Sequence, residues 1–338
     1  MARKNNAHNT EWMEDLEPLP EIRNMKEKTR KSTAKQNNSK KSLLERDINS
    51  QQLHEEIDRE ANFEFTYQAS HHEHDWIKNS LGSFYNQHWI KDILSLVKGG
   101  KEAHVYQCLT DVNKSDLTNP FIAAKVYRPR RFRNLKNDHL YREGRTRLDE
   151  DGHEIIDGGM LHAMNKRTEY GLKLMHTSWI EYEYRTMQVL YNAGASVPQP
   201  LARGDNAILM TYLGDEDFPA PMLNTLDLDS HEARQLFKIV LENIEIMLAN
   251  NIIHGDLSAY NILYWQGEIT IIDFPQSINP NQNRNAFSFF ERDVKRICQY
   301  FAQQGLEVDA KQTAAQVWMS HQYPIFQEPP IEIFMQEE

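Results

Sequence analysis

Between Trp89 and Tyr127 the sequence breaks into three short β-rich runs, ILSLV (93–97), HVYQCL (104–109) and FIAAKVY (121–127), separated by turn residues. Runs this brief and this closely spaced suit an antiparallel sheet rather than helices. AILMTYL (207–213) adds one more strand. The second half of the chain has the other period. After Ser230, the residues Leu236, Ile239, Val240, Ile244, Met247 and Leu248 recur on one face, the stripe of a core helix. Helix predominates beyond it, apart from a short strand pair flanking Gly267. An earlier helix is expected through EYEYRTMQVLYNAG, capped by Ser178 and closed by Gly194. Strands first and helices later predict an α+β protein with a cleft between its halves.

Three stretches do not share this patterning. Residues 1–62 are polar, crowded with Asn, Gln, Lys and Ser, and cannot bury enough apolar surface to offset chain entropy, so a mobile arm is expected there. The ordered part should start between Asn62 and Trp76. Residues 128–177 form a long polar insertion, partly helical at best, and residues 326–338 form a tail. The net charge of -11 opposes a uniformly basic nucleic-acid binder. Two basic runs oppose that average, at 23–46 and 125–147, and they are the candidates for contact with RNA, a ribosomal particle or another anionic partner. His71, His72 and His74 have no second ligand cluster and read as surface histidines. Two cysteines, no long apolar run and no signal-like N-terminus predict a soluble cytoplasmic protein without membrane attachment.

The chemistry concentrates in Ile253-His254-Gly255-Asp256-Leu257-Ser258-Ala259-Tyr260-Asn261-Ile262-Leu263 and in Asp273, at the end of the apolar run Ile271-Ile272. Phosphoryl transfer needs a carboxylate beside the attacking hydroxyl and oxygen ligands for magnesium on the nucleotide. Asp256 can supply the first, and Asn261 with Asp273 the second. Upstream, Gly99, Gly100 and Lys101 join two strands, where adjacent glycines let backbone N–H groups approach phosphate; a plain Gly-Gly hairpin turn is the competing reading. In FIAAKVY, alternation puts Lys125 on the face of Phe121, Ala123 and Tyr127, a cleft-facing charge among small residues. Such a lysine needs a carboxylate to orient it, and both Glu181 and Glu183 are available.

These residues resemble the RIO atypical protein kinases. The resemblance rests on Gly100-Lys101-Glu102-Ala103 with Val105-Tyr106, on Ala124-Lys125-Val126-Tyr127, on His254-Gly255-Asp256-Leu257-Ser258 with Tyr260-Asn261-Ile262-Leu263, and above all on Ile272-Asp273-Phe274-Pro275-Gln276. Pro275 replaces the glycine that follows Asp-Phe in ordinary protein kinases, and no Ala-Pro-Glu segment follows. The resemblance covers roughly residues 65 to 305. It implies a bilobal protein-kinase-like fold, with a small antiparallel β lobe at 63–213 (a preceding helix and the insertion included), a helical lobe at 214–325, and the nucleotide cleft between them.

By the same resemblance, Lys125 contacts the phosphates of ATP, Glu183 pairs with it, Asp256 is the catalytic aspartate, and Asn261 and Asp273 hold Mg2+. Asp273 is also implied as an acceptor of the γ-phosphate. Met210 to Leu213 is similar to the hinge, where the backbone of Thr211 and Leu213 meets adenine. Asn285 and Asp293 resemble structural positions. The lack of a winged-helix segment ahead of the strands points to the subfamily without one. Two departures stand out: Lys98-Gly99-Gly100 occupies the place of Ser-Thr-Gly, and 58 residues separate Lys125 from Glu183 because of the insertion. The expected activity is that of an ATP- and magnesium-dependent serine/threonine protein kinase, with autophosphorylation. The alternative is an ATPase switch acting on a ribosomal or RNA particle, and a small-molecule phosphotransferase is the third. The physiological protein substrate is not encoded in any motif.

Overall fold

The computed structural model describes residues 63–111, 119–128 and 145–323. The arm at 1–62 with the first basic run, residues 129–144 of the second, and the tail at 326–338 lie outside the described residues. The described chain divides into two units, one formed by 63–95 with 109–111, the other by 96–108, 119–128 and 145–323.

In the smaller unit, helix α1 (His71–Asn86) starts where the Ser70 hydroxyl accepts the Glu73 N–H. Its apolar residues Ile77, Leu81 and Phe84 recur at helical spacing and are all buried, as is Phe63, which stacks on Tyr85 with ring centroids 4.5 Å apart. The chain entering this helix is tied by Thr66, whose N–H and hydroxyl both donate to the Asp92 carboxylate, at 2.8 and 2.5 Å. His71 and His74 face Asp75 and Glu64 on the surface, as expected of solvated histidines.

Strand β1 (Ile90–Gly99) carries the chain into the larger unit. There β2 (Ala103–Thr110), β3 (Phe121–Tyr127), β4 (Pro200–Arg203) and β5 (Ala207–Thr211) complete a sheet in the order β1-β2-β3-β5-β4. β3 and β5 run antiparallel with Lys125 opposite Ile208 and Ile122 opposite Thr211. One face of the sheet is covered by α3 (Glu169–Asn192), whose Ile180, Met187 and Leu190 pack in one core with Ile208 and Met210. Burying each such side chain contributes about 1.5–3 kcal/mol, so this face fixes the height of α3 against the strands.

The remaining half is helical. Asp229 caps α4 (Ser230–Ala249) by accepting the His231 and Glu232 N–H groups at 2.8 and 2.9 Å. Leu236, Val240, Ile244 and Met247 face inward onto α5 (Ala286–Gln303), which presents Phe289, Val294, Ile297 and Phe301, and onto Trp318 of α6 (Ala310–Ser320). Between α4 and α5 the hairpin β6 (Ile262–Trp265) and β7 (Glu268–Ile271) closes around Gly267, in register from Ile262 opposite Ile271. Cys108 and Cys298 are buried and form no disulfide. No helix among the described residues is long and apolar enough to cross a membrane.

One expectation requires correction. Ser178 does not cap a helix: α3 begins nine residues earlier, where Thr168 accepts the Gly171 N–H at 3.1 Å. The Ser178 hydroxyl is taken instead by the Leu148 N–H at 2.9 Å. The described part of the insertion is partly helical, in keeping with the expectation, and comprises α2 (Gly158–Lys166) and residues 169–177 at the start of α3. These two helices meet at Gly171, where a Cβ atom would lie 2.0 Å from the Ala163 carbonyl oxygen; only glycine allows that approach.

Candidate active site

Strand alternation turns Lys125 off β3 into a cleft of about 450 Å³ within the larger unit. Its ammonium donates to Glu183 Oε1 at 2.5 Å and to Asp273 Oδ1 at 2.7 Å. Glu183 comes from the fourth turn of α3, and its second oxygen accepts the Tyr127 hydroxyl at 2.7 Å. Asp273 stands just past β7 with φ of 76°, in the left-handed region, which aspartate adopts more readily than most L residues but still at a cost. The two carboxylates differ in access. Glu183 is 1% exposed and Asp273 43%, so Asp273 is the one that can meet a ligand.

Burial pulls the Lys125 pKa down, but the facing Asp273 and Glu183 charges outweigh it and hold the ammonium above its ordinary value. Burial pushes Asp273 up, and Lys125 outweighs that in turn, with help from Lys98, keeping it below the usual carboxylate range. Lys125 therefore stays cationic and Asp273 anionic, the charge states that a phosphate ligand and a metal ligand would need. The choice between Glu181 and Glu183 is settled by contact. Glu181 binds Arg185 at 2.8 Å and Arg203 at 2.5 Å, away from the lysine. Glu181→Ala is accordingly expected to cost about 1–3 kcal/mol of stability while leaving nucleotide affinity unchanged. Calorimetric ATP titration beside urea unfolding checks this; a loss of affinity comparable to that of Glu183→Ala would contradict it.

The loop from His254 to Asn261 is stitched to the Asp273 segment. His254 Nε2 donates to the Ile272 carbonyl at 3.1 Å while its Nδ1 accepts the Asp256 N–H at 3.3 Å, which together require the neutral ring. Burial holds the histidine pKa down in agreement. The Ile272 N–H returns to the Asn261 carbonyl at 2.9 Å. Asn261 donates its amide nitrogen to the Asp256 carbonyl at 2.9 Å, which points its own Oδ1 away from that bond. Asp256 and Asn261 do not line the cleft wall itself; they join it through these bonds to Ile272. Arg296 of α5, which no sequence signal marks, donates to Asp256 Oδ1 at 2.7 Å.

Asp293, also on α5, is 3% exposed and accepts the Gly255 N–H at 2.8 Å, in keeping with a structural role. Gly255 has φ of 78°, and its carbonyl is held by Arg292. Burial lifts Asp293 to about 7, against the opposing pull of Arg292 and the Gly255 N–H. The folded chain thus keeps this proton to about pH 7, while the unfolded chain releases it near 3.8. Between those values the folded state binds more protons, so the Asp293 contribution to stability falls as pH rises. Unfolding free energies at about pH 5 and about pH 8 should show wild type losing ground to Asp293→Asn at the higher value. A constant difference would contradict the assignment.

The glycine turn and the segment from Met210 to Leu213 form the rest of the cleft. Gly100, Lys101 and the exposed Lys98 line it, together with Val97, Ala103 and Val105. Gly100 donates its N–H to the Ala103 carbonyl at 3.0 Å, and Arg128 donates to the Gly100 carbonyl at 3.1 Å. Gly99 is the last residue of β1, so the turn runs through Gly100, Lys101 and Glu102, with the Gly100 N–H committed to closing it, while Lys98 and Lys101 supply charge at the rim. On the opposite wall Thr211 closes onto Gln199 through both its N–H and its hydroxyl, each at 3.0 Å. The Leu213 carbonyl accepts the Ala220 N–H at 2.9 Å, and the Leu213 N–H has no partner among the described residues.

A lysine paired with a helix glutamate under an antiparallel sheet, facing an aspartate from a helical half across a cleft, defines a protein-kinase-like fold. The family model for the RIO domain matches residues 104–314, well over half of the sequence, and the chain belongs to that family. The serine/threonine-protein kinase RIO1 of Chaetomium thermophilum is 29% identical over 273 residues, covering 78% of this chain and 49% of that protein. The RIO-type serine/threonine-protein kinase Rio1 of Haloferax volcanii is 26% identical over 215 residues, covering 63% and 64%. The chain thus spans between about half and two thirds of the length of these curated relatives. The solved structure of the Rio2 kinase from Chaetomium thermophilum matches with a TM-score of 0.46 at 19% identity, covering 75% of this chain and 71% of that one.

Proposed function

We propose that this chain is an ATP- and magnesium-dependent serine/threonine protein kinase of RIO type. The observation that carries this is the Lys125 ammonium, held between the buried Glu183 and the accessible Asp273 on the cleft wall. In this scheme the unused Leu213 N–H, with the Thr211 backbone, meets adenine between apolar walls, and Lys125 takes the phosphates, assisted from the rim by Lys98 and Lys101. Asn261 and Asp273 offer oxygen donors, the ligand type a hard divalent cation takes. Bound Mg2+ would supply charge neutralisation on the nucleotide. Asp256 orients the incoming serine or threonine hydroxyl and receives its proton as the bond to phosphorus forms and ADP leaves. A cytoplasmic setting and an RNA or ribosomal-particle partner, reached through the basic runs 23–46 and 125–147, complete the proposal.

Incubation with γ-labelled ATP tests it. Label on serine or threonine, of this chain or of an added protein, is the expected result. Hydroxylamine-sensitive label on Asp273 together with free phosphate, and none on hydroxyls, would instead identify an ATPase switch. Absence of any magnesium-dependent turnover would overturn both.

A further inference from the structure

We infer that Arg145 is a positioning residue for phosphoryl transfer, locking the helix that carries Glu183 to the segment that carries Asp273. This rests on the cleft being a magnesium–ATP site. Arg145 Nη2 donates to the carbonyls of Pro275 and Ser277, each at 2.8 Å, two and four residues beyond Asp273. Its guanidinium carbon lies 4.3 Å from the ring centroid of Tyr182, the residue before Glu183 on α3. The same junction is closed again by Ser277, wholly buried, whose hydroxyl lies 3.4 Å from that of Thr186, one turn further along α3.

The two carboxylates that bracket Lys125 therefore sit on segments bridged by one cation, through backbone carbonyls on the Asp273 side and through the Tyr182 ring on the Glu183 side. Asp273 benefits from such support, because its φ of 76° is held at a cost. Hydrogen bonds from a charged donor are roughly twice as strong as neutral ones, and two from one guanidinium fix direction as well as distance. Lysine cannot reproduce this, since an ammonium has no planar face to lay on Tyr182 while donating to both carbonyls. Because Arg145 holds backbone carbonyls, its effect on the reaction passes through the placement of Asp273.

Arg145→Gln and Arg145→Lys separate this role from a general loosening of the fold. The expected result for Arg145→Gln is a fall in kcat of about tenfold or more, with the magnesium concentration for half-maximal turnover raised severalfold. Nucleotide affinity without metal, read by calorimetry, should stay within about twofold, while the gain in affinity on adding magnesium should shrink. Arg145→Lys should recover part of both losses. Where the glutamine variant does not fold, the lysine variant decides by the same measurements. The inference is overturned if both magnesium responses match wild type, or if metal-free affinity falls in step with kcat. A wild-type chain that neither turns over ATP nor binds it more tightly with magnesium would overturn the underlying site assignment as well.

Discussion

Asp273→Asn is expected to lower magnesium-dependent ATP turnover by roughly 10²–10³-fold, while metal-free nucleotide binding persists. Asparagine is the informative substitution because it tolerates the left-handed backbone that Asp273 adopts at φ 76°, so charge is removed without the strain alanine would add. What disappears is the one accessible carboxylate in contact with Lys125 and, with it, the anionic donor expected to hold the metal. The Leu213 N–H proposed to meet adenine and the apolar walls are untouched, which is why nucleotide affinity should survive. Turnover followed across a magnesium series, beside calorimetry without metal, checks both halves. Turnover within about tenfold of wild type would remove Asp273 from the chemistry.

Lys125→Met should be the most destabilising single change in the cleft, costing about 3–5 kcal/mol, because it leaves the Glu183 carboxylate buried with only the Tyr127 hydroxyl as partner. Adding Glu183→Gln in the same chain removes the stranded charge, so most of that stability should return. Activity should not return with it, since the ammonium proposed to hold the phosphates is still missing. Urea unfolding of the two single variants and the double variant gives the coupling directly. If Lys125→Met alone unfolded within about 1 kcal/mol of wild type, the pair would not be the buried lock its 1% exposed glutamate indicates.

The parts of this site that local pattern encodes were legible before the fold was known. Period-two alternation over residues 121–127 aimed Lys125 at the cleft, and the strand ends where the sequence places it. The spacing of Asp256, Asn261 and Asp273 marked the segments that hydrogen bonds to Ile272 draw together. The parts that tertiary contact decides were not legible. Ser178 has every property of a helix cap, yet a backbone N–H from thirty residues away claims its hydroxyl, and Thr168 caps the helix instead. Arg145 and Arg296 lie in polar surroundings with nothing local to single them out; only the folded chain brings them to Pro275 and Asp256. The two glutamates of α3 offered equal claims until Arg203 and Arg185 took one of them.

Five residues after Asp273 the chain is pinned again, where Ile253 and Ile278 exchange both backbone hydrogen bonds, at 2.9 and 3.0 Å. Phe274, wholly buried against the His254 ring, fills the interval. So short a span has no slack. Swinging the aspartate out would require peeling apart the Ile253–Ile278 bridge and exposing a phenylalanine, at a cost of several kcal/mol. The bridge and the buried ring thus hold the aspartate to its place beside Lys125.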